Sequence, residues 1–231
     1  MGNLYANGRR RPIARDLNAA LVLEDGTVVE GTGFGAETTV TGEMVFCTSM
    51  TGYQEALTDP SYAGQILLLT YPLIGNYGVN GEDYESSRIQ CEGFVVHEYC
   101  EDPDHSEADG TVHEYLQDEN IPGISNLDTR ALTLRIRDKG VVKAALQVSS
   151  DSIDTDALVE TCRQSEDYGE RDLVQRVTRD EPAFYEGPNE DIAVLDLGMK
   201  YSIRDNLLER GCSVTVLPAD STAEEVMEHD W

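Results

Sequence analysis

The residues best placed to do chemistry lie in Cys47-Thr48-Ser49-Met50-Thr51-Gly52-Tyr53-Gln54, where an apolar run, Glu43-Met44-Val45-Phe46, breaks into hydroxyl side chains and a glycine. A hydroxyl donates to a carboxylate and accepts from an ammonium group, so Ser49 suits a polar, zwitterionic ligand held at the end of a strand. The same hydroxyls have a plainer use. Thr48, Ser49 and Thr51 can satisfy backbone groups at a strand-to-helix turn, with Ser49 or Thr51 as the helix N-cap. That plainer reading is preferred for Thr48 and Thr51, and the ligand reading for Ser49. Tyr53, Gln54 and Asp59, which follow in a short helical piece and an Asp-Pro turn, are read as fixing the local fold and an interface.

Other candidate chemistry is thinner. Cys47, Cys91, Cys100, Cys162 and Cys212 form no C-x-x-C pair, and none has a histidine at a recognisable catalytic spacing. His229 is a poor candidate for a base. Cys100 with His97, His105 and His113 beside the acidic stretch from Glu101 to Glu119 matches no known ligand spacing, so no metal site is assigned. Gly31-Thr32-Gly33-Phe34-Gly35 lacks the third glycine and the following helix of a dinucleotide loop, and reads as a glycine-rich strand connection.

Charge narrows the classes further. Among 231 residues, 44 acids face 17 bases, for a net charge of −27. Phosphate binding needs clustered positive charge, so nucleic acid is excluded as a partner. The acids run along the whole chain rather than forming one tail, which points to a salt-rich cytoplasm in which short Debye lengths screen self-repulsion. No apolar run approaches the ~20 residues of a membrane span, and the Arg9-Arg10-Arg11 leader precedes too short an apolar region for a signal peptide. The expected location is cytoplasmic.

The elements that must position these residues can be read in order. Residues 1–18 are polar and aperiodic, a flexible leader. Ala20 to Leu23 and Thr27 to Glu30 flank Glu24-Asp25-Gly26 as a hairpin. Met44 to Phe46, Ile66 to Tyr71 and Gly93 to Tyr99 are further strands. Asp128 can cap a helix that carries Leu132 and Ile136 on one face and ends at Gly140. Val141 to Val148 reads as a strand, and Ile153 to Cys162 as a helix capped by Asp154 or Thr155. These make a mixed β/α domain over 19–178. Residues 179–190, with two prolines and a glycine among acids, read as a linker. From 191 the order is strand (Ile192 to Asp196), helix (Tyr201 to Arg210), strand (Val214 to Leu217) and the opening of a helix (Thr222 to Met227), the pattern of a doubly wound parallel sheet. The fold class is therefore α/β, and 191–231 is too short to cover both faces of such a sheet. Either the chain is cut short or a partner completes it.

The strings "LEDGTVVEGTGFG", "GEMVFCTSMTGYQEALTDPSYAGQILLLTYPLIGNYGVN", "GISNLDTRALTLRIRDKG" and "IAVLDLGMKYSIRDNLLERGCSVTVLPAD" together resemble the small, glutamine-handling subunit of carbamoyl phosphate synthetase, from Leu21 to Asp220. The resemblance implies an amino-terminal domain that packs on the large synthetase subunit, followed by the start of a class I glutamine amidotransferase domain. In that family a cysteine thiolate attacks the glutamine amide with help from a histidine and a carboxylate. The released ammonia is joined to bicarbonate on the large subunit, with ATP and magnesium, for arginine and pyrimidine synthesis. Ser49 matches the family's glutamine-contacting serine. The G-x-C-x-G-x-Q nucleophile elbow is missing, so no catalytic residue is assigned within these 231 residues. The nucleophile, histidine and carboxylate are expected beyond Trp231, and this chain alone is expected to be inactive and to bind no cofactor. The other expectation is a non-catalytic docking module for the large subunit. Asp128, Thr129 and Arg130 stand as either cap and helix-surface ion pair or part of the subunit contact.

Overall fold

A computed structural model describes residues 17–227. Its elements, in chain order, begin with β1 (Leu17–Leu23), β2 (Val28–Gly35), β3 (Thr39–Cys47), α1 (Tyr53–Thr58), a 3-10 turn (Pro60–Tyr62), β4 (Gln65–Leu69), β5 (Leu73–Ile74), β6 (Gly93–Val95), β7 (Glu98–Tyr99), α2 (Val112–Asp118) and β8 (Pro122–Ser125). There follow α3 (Thr129–Lys139), β9 (Lys143–Ser149), α4 (Thr155–Gln164), a 3-10 turn (Tyr168–Glu170) and α5 (Val174–Val177). The last elements are β10 (Ala183–Tyr185), β11 (Asp191–Asp196), α6 (Tyr201–Glu209), β12 (Ser213–Pro218) and α7 (Ala223–Met227).

The hairpin forms where the pattern places it. β1 and β2 pair antiparallel, with Val22 opposite Val28, and Gly26 N–H and Leu23 N–H close the turn. Strand β1 starts at Leu17, so Leu17 and Asn18 belong to it and not to a leader; the rest of the expected leader, 1–16, lies outside the described residues, as does His229. Gly31 to Gly35 sit inside β2 rather than in a connection.

Seven strands close a barrel in the order β1-β2-β8-β6-β4-β3-β9. The pairs β3–β4, β4–β6 and β6–β8 are parallel and the rest antiparallel. Side chains alternate across each strand. Leu17, Ala19, Leu21 and Leu23 of β1 therefore join Met44, Ile66, Leu68, Val95, Ile124, Ala144 and Leu146 in the barrel interior, with Leu132 and Ile136 of α3 packed against them. Ala20 and Val22 point the other way, onto Leu158, Val159 and Cys162 of α4. Both faces of β1 are thus covered, which is why it reads as an unbroken apolar run. A third cluster, built from Leu57, Leu67, Leu69, Phe94, Val112 and Leu116 among others, lies outside the barrel beneath α1 and α2.

Beyond the barrel, β11 and β12 run parallel in register Asp191↔Ser213 to Asp196↔Pro218, with α6 as the crossover. Strand β10 adds antiparallel to the other edge of β12, Ala183 opposite Val216. It falls within the stretch that reads as an aperiodic linker. The reason is local: Phe184 and Tyr185 favour strand geometry, and the guanidinium of Arg204, on α6, sits 5.0 Å from the Tyr185 ring centre and 4.6 Å from that of Tyr201. No helix among the described residues is long and apolar enough to cross a membrane.

Candidate functional site: the junction between barrel and small sheet

At the end of β3 the hydroxyl residues do not cap the helix that follows. Gly52 is the N-cap of α1, in the left-handed region (φ 82°) where a glycine costs nothing, and no side chain of its own supplies the cap. The Tyr77 hydroxyl does so instead, accepting from Gly52 N–H at 2.8 Å and Tyr53 N–H at 3.3 Å. Neither Thr51, for which the sequence favours the turn-satisfying role, nor Ser49, for which that role is the lesser reading, caps α1. Thr48, Ser49 and Thr51 are all exposed.

Ser49 lies beside the thiol at 47. Burial pushes the Cys47 thiol up, but hydrogen bonds from the Ser49 hydroxyl, the Ser49 backbone and the Tyr62 hydroxyl outweigh it and bring Cys47 below an ordinary cysteine. Burial, together with that contact, raises Tyr62 to about 12.

The residues behind Ser49 stitch α1 to the loop that follows β5. Tyr53 is buried, stacks on Tyr77 with centroids 4.1 Å apart, and donates its hydroxyl to Gly78 C=O at 2.5 Å. Burial and then Tyr77 push the Tyr53 phenol far above its usual range. Gln54, 1% exposed, donates Nε2 to Asn80 C=O at 2.7 Å and accepts from Asn80 N–H at 2.9 Å. Its amide thereby pairs with main chain as a strand would. Thr58 accepts from Glu85 N–H at 2.8 Å, and its C=O accepts from the Ser86 hydroxyl at 2.6 Å.

Asp59 faces two ways. One oxygen accepts from Ser61 N–H at 2.9 Å and starts the 3-10 turn; the other lies 3.2 Å from the Lys200 ammonium, which is also 3.8 Å from Glu85. Burial lowers Lys200, but the two carboxylates outweigh it and hold it above an ordinary lysine. The Asp59 charge works against the hydrogen bonds on the Cys47 thiol, raising it slightly.

Lys200 stands at the carboxyl end of β11, where parallel sheets present their binding residues. The turn that delivers it is tightly specified. Asp196 accepts from Gly198 N–H at 3.0 Å and Met199 N–H at 2.8 Å through one oxygen, and from Arg179 N–H at 3.1 Å through the other. Gly198 has φ 99°, and a Cβ there would lie 2.9 Å from Val177 and 3.1 Å from Pro60 of the barrel unit. The sequence reading did not single out Lys200 or Glu85. One signal was available: Lys200 is one of three lysines, placed between a strand and a helix.

The remaining candidates lie elsewhere. Asp128 caps α3, accepting from Ala131 N–H at 2.9 Å. Thr129 is buried, and its C=O accepts from Thr133. Among the described residues no ion pair joins Asp128 to Arg130, which is exposed; the basic partners of that helix, Arg135 and Lys139, reach back to Asp25 of the hairpin turn. His97 donates to Leu127 C=O at 2.8 Å and His113 accepts from Gly35 N–H at 2.9 Å, both as structural pins. Burial raises Cys91 to about 12 and Cys162 to about 11.

These features define an α/β protein in which Asp59 and Glu85 of a closed-barrel unit meet the carboxyl end of a parallel strand pair. The family model described as "Carbamoyl-phosphate synthase small chain, CPSase domain" matches residues 21–146. The chain belongs to that family. It is 46% identical over 223 residues to the carbamoyl phosphate synthase small chain of Methanosarcina mazei, covering 93% of this chain and 60% of that one. To the small chain of Archaeoglobus fulgidus it is 48% identical over 213 residues, covering 92% and 59%. To that of Methanococcus maripaludis it is 49% identical over 215 residues, covering 91% and 57%. The chain thus spans about 60% of the length of these relatives. A likeness to an aminopeptidase from Aneurinibacillus, with TM-score 0.34 and 17% identity over 59% of this chain and 31% of the other, carries no argument.

Proposed function

We propose that this chain provides the barrel and the first strands of the amidotransferase domain of a glutamine-hydrolysing carbamoyl phosphate synthetase small subunit. In this reading Ser49 holds the α-amino-acid end of glutamine across the junction, and ammonia released there passes to the large subunit. Bicarbonate, ATP and magnesium are used on that subunit. In this reading none of Cys47, Cys91 and Cys162 is the nucleophile, because Cys91 and Cys162 are buried with raised thiols and hydroxyls surround the Cys47 thiol. The domain that follows residue 190 is a class I amidotransferase fold, supported by the parallel β11-α6-β12 unit.

One observation carries the reading: the Lys200 ammonium is clamped between Asp59 and Glu85, which brings the carboxyl end of β11 onto the Ser49 motif. A site shared between two units needs such a junction, and a barrel that merely docked on a partner would not.

The test uses the full-length protein with its large subunit. Ser49→Ala is expected to raise the glutamine KM roughly tenfold, the loss of about 1.4 kcal/mol expected for one hydrogen bond to a charged group. Ammonia-dependent carbamoyl phosphate synthesis should be unchanged. An unchanged glutamine KM refutes the role of Ser49.

A further inference from the structure

One residue of the barrel unit reaches the small sheet through nearly all of its polar atoms. Glu85 lies in the loop between β5 and β6 and is 9% exposed. Its N–H donates to the Thr58 hydroxyl at 2.8 Å, at the last residue of α1. Its C=O accepts from Tyr201 N–H at 2.9 Å, and its carboxylate accepts from Ser202 N–H at 3.0 Å. The second carboxylate oxygen faces Lys200 at 3.8 Å.

Tyr201 and Ser202 open α6, and the N-cap of that helix, Lys200, makes no side-chain cap. A helix start leaves N–H groups without partners and carries partial positive charge. Here both needs are met from the other unit, by one carbonyl and one carboxylate. Asp59 holds Lys200 from the opposite side, but through a single bond to a side chain that is 35% exposed. Such a tether is weak and salt-screened. Glu85 binds main chain twice at the start of α6 and the Thr58 hydroxyl on the barrel side, so it is the stiffer of the two.

We propose that Glu85 is a positioning residue, which sets the start of α6 against Thr58 at the end of α1 and so fixes the small sheet relative to the Ser49 motif that takes glutamine. This rests on the glutamine reading given above. Glu85 touches no substrate; it acts through α6 on one side and through Thr58 and α1 on the other.

The experiment compares Glu85→Ala and Glu85→Gln in the full-length protein bound to its large subunit, in molar KCl. Glu85→Ala is expected to raise the glutamine KM about tenfold, ~1.4 kcal/mol, with ammonia-dependent synthesis unchanged. Glu85→Gln keeps an acceptor for Ser202 N–H and should recover most of that loss. Hydrogen exchange should quicken over 200–206 in Glu85→Ala while the barrel strands stay protected. An unaltered protein without glutamine-dependent synthesis overturns the glutamine reading and this role with it. A working protein whose Glu85→Ala form keeps its glutamine KM overturns the positioning role alone. So does a Glu85→Gln form as impaired as Glu85→Ala, because the bond to Ser202 would then not be the operative one. If Glu85→Ala does not fold, Glu85→Ser, too short to reach Ser202 N–H, decides: an unchanged glutamine KM with unchanged exchange over 200–206 overturns the proposal.

Discussion

Replacing Gln54 by alanine tests how the motif behind Ser49 is built. The side chain is 1% exposed and its amide satisfies both main-chain groups of Asn80. Removing one partner of a buried pair costs ~1–3 kcal/mol for each group stranded. Asn80 is half-buried, so water reaches its groups in part, and the low end applies to each. Two such groups give roughly 2–3 kcal/mol. The one buried methylene truncated adds about 0.8 kcal/mol if the space does not close. The expected loss for Gln54→Ala is therefore about 3–4 kcal/mol, large against a typical stability of 5–15 kcal/mol. Gln54→Glu keeps the shape and one acceptor but turns a carboxylate oxygen towards Asn80 C=O, so it should rank close to alanine at neutral pH and recover as the carboxyl protonates. The assay is urea unfolding in molar KCl, read as a shift in midpoint at constant slope, with hydrogen exchange over 77–86 as a local readout. A loss under about 0.5 kcal/mol, the range of ordinary surface changes, with unchanged exchange in that loop, would refute the claim that Gln54 holds it.

Three more outcomes follow from other parts of the molecule. Cys47 should be alkylated before Cys91 and Cys162 in the native protein near neutral pH, because its thiol is lowered and theirs are raised; Ser49→Ala should slow it, and equal rates for all three by peptide mapping would contradict the hydrogen bond. Hydrogen bonds led by that from Lys139, with Thr27 and Arg135, hold the Asp25 carboxyl well below the usual range. A depressed folded value stabilises above the unfolded one, so the destabilisation by Asp25→Asn should be constant above pH ~5 and shrink as pH falls below ~3.9; a difference that grows on acidification would refute it. With a net charge of −27, the unfolding midpoint should climb between 0.1 M and 1 M KCl, as the Debye length falls from ~10 Å to ~3 Å, and a flat salt response would remove self-repulsion as a term in stability.

Local signals in the sequence were reliable wherever the structure is local. The β1–β2 turn, the Asp128 cap of α3, the Asp154 cap of α4, and the order β11-α6-β12 all follow from residues within a few positions of one another. Barrel closure was not legible. It depends on the parallel pairs β3–β4, β4–β6 and β6–β8, whose partners are separated by helices and loops. Periodicity reports the face of a strand and not its neighbour. Strand β10 was hidden because three residues among prolines and acids carry too little pattern, and its partner β12 lies some thirty positions away. At the site, Ser49, Tyr53, Gln54 and Asp59 stood out as an unusual string, but their partners Tyr77, Asn80, Glu85 and Lys200 did not. Those partners contribute main-chain groups or single contacts across the fold, and such contributions leave no periodic trace.

Side chains of α1 bond the backbone of the loop at Gly78, Asn80 and Glu85, and Tyr77 is the loop side chain that Tyr53 stacks on. Main chain is common to every residue type but proline at a donor position, so the two partners carry very different mutational loads. Residues 81–83, which are exposed, should accept broad substitution in a saturation library, while Tyr53, Gln54, Thr58 and the buried Val79 should accept almost none. The exposed tip of the loop is therefore free to vary, while the buried residues on either side of it, Val79 and Glu85, keep the shape that frames the motif behind Ser49.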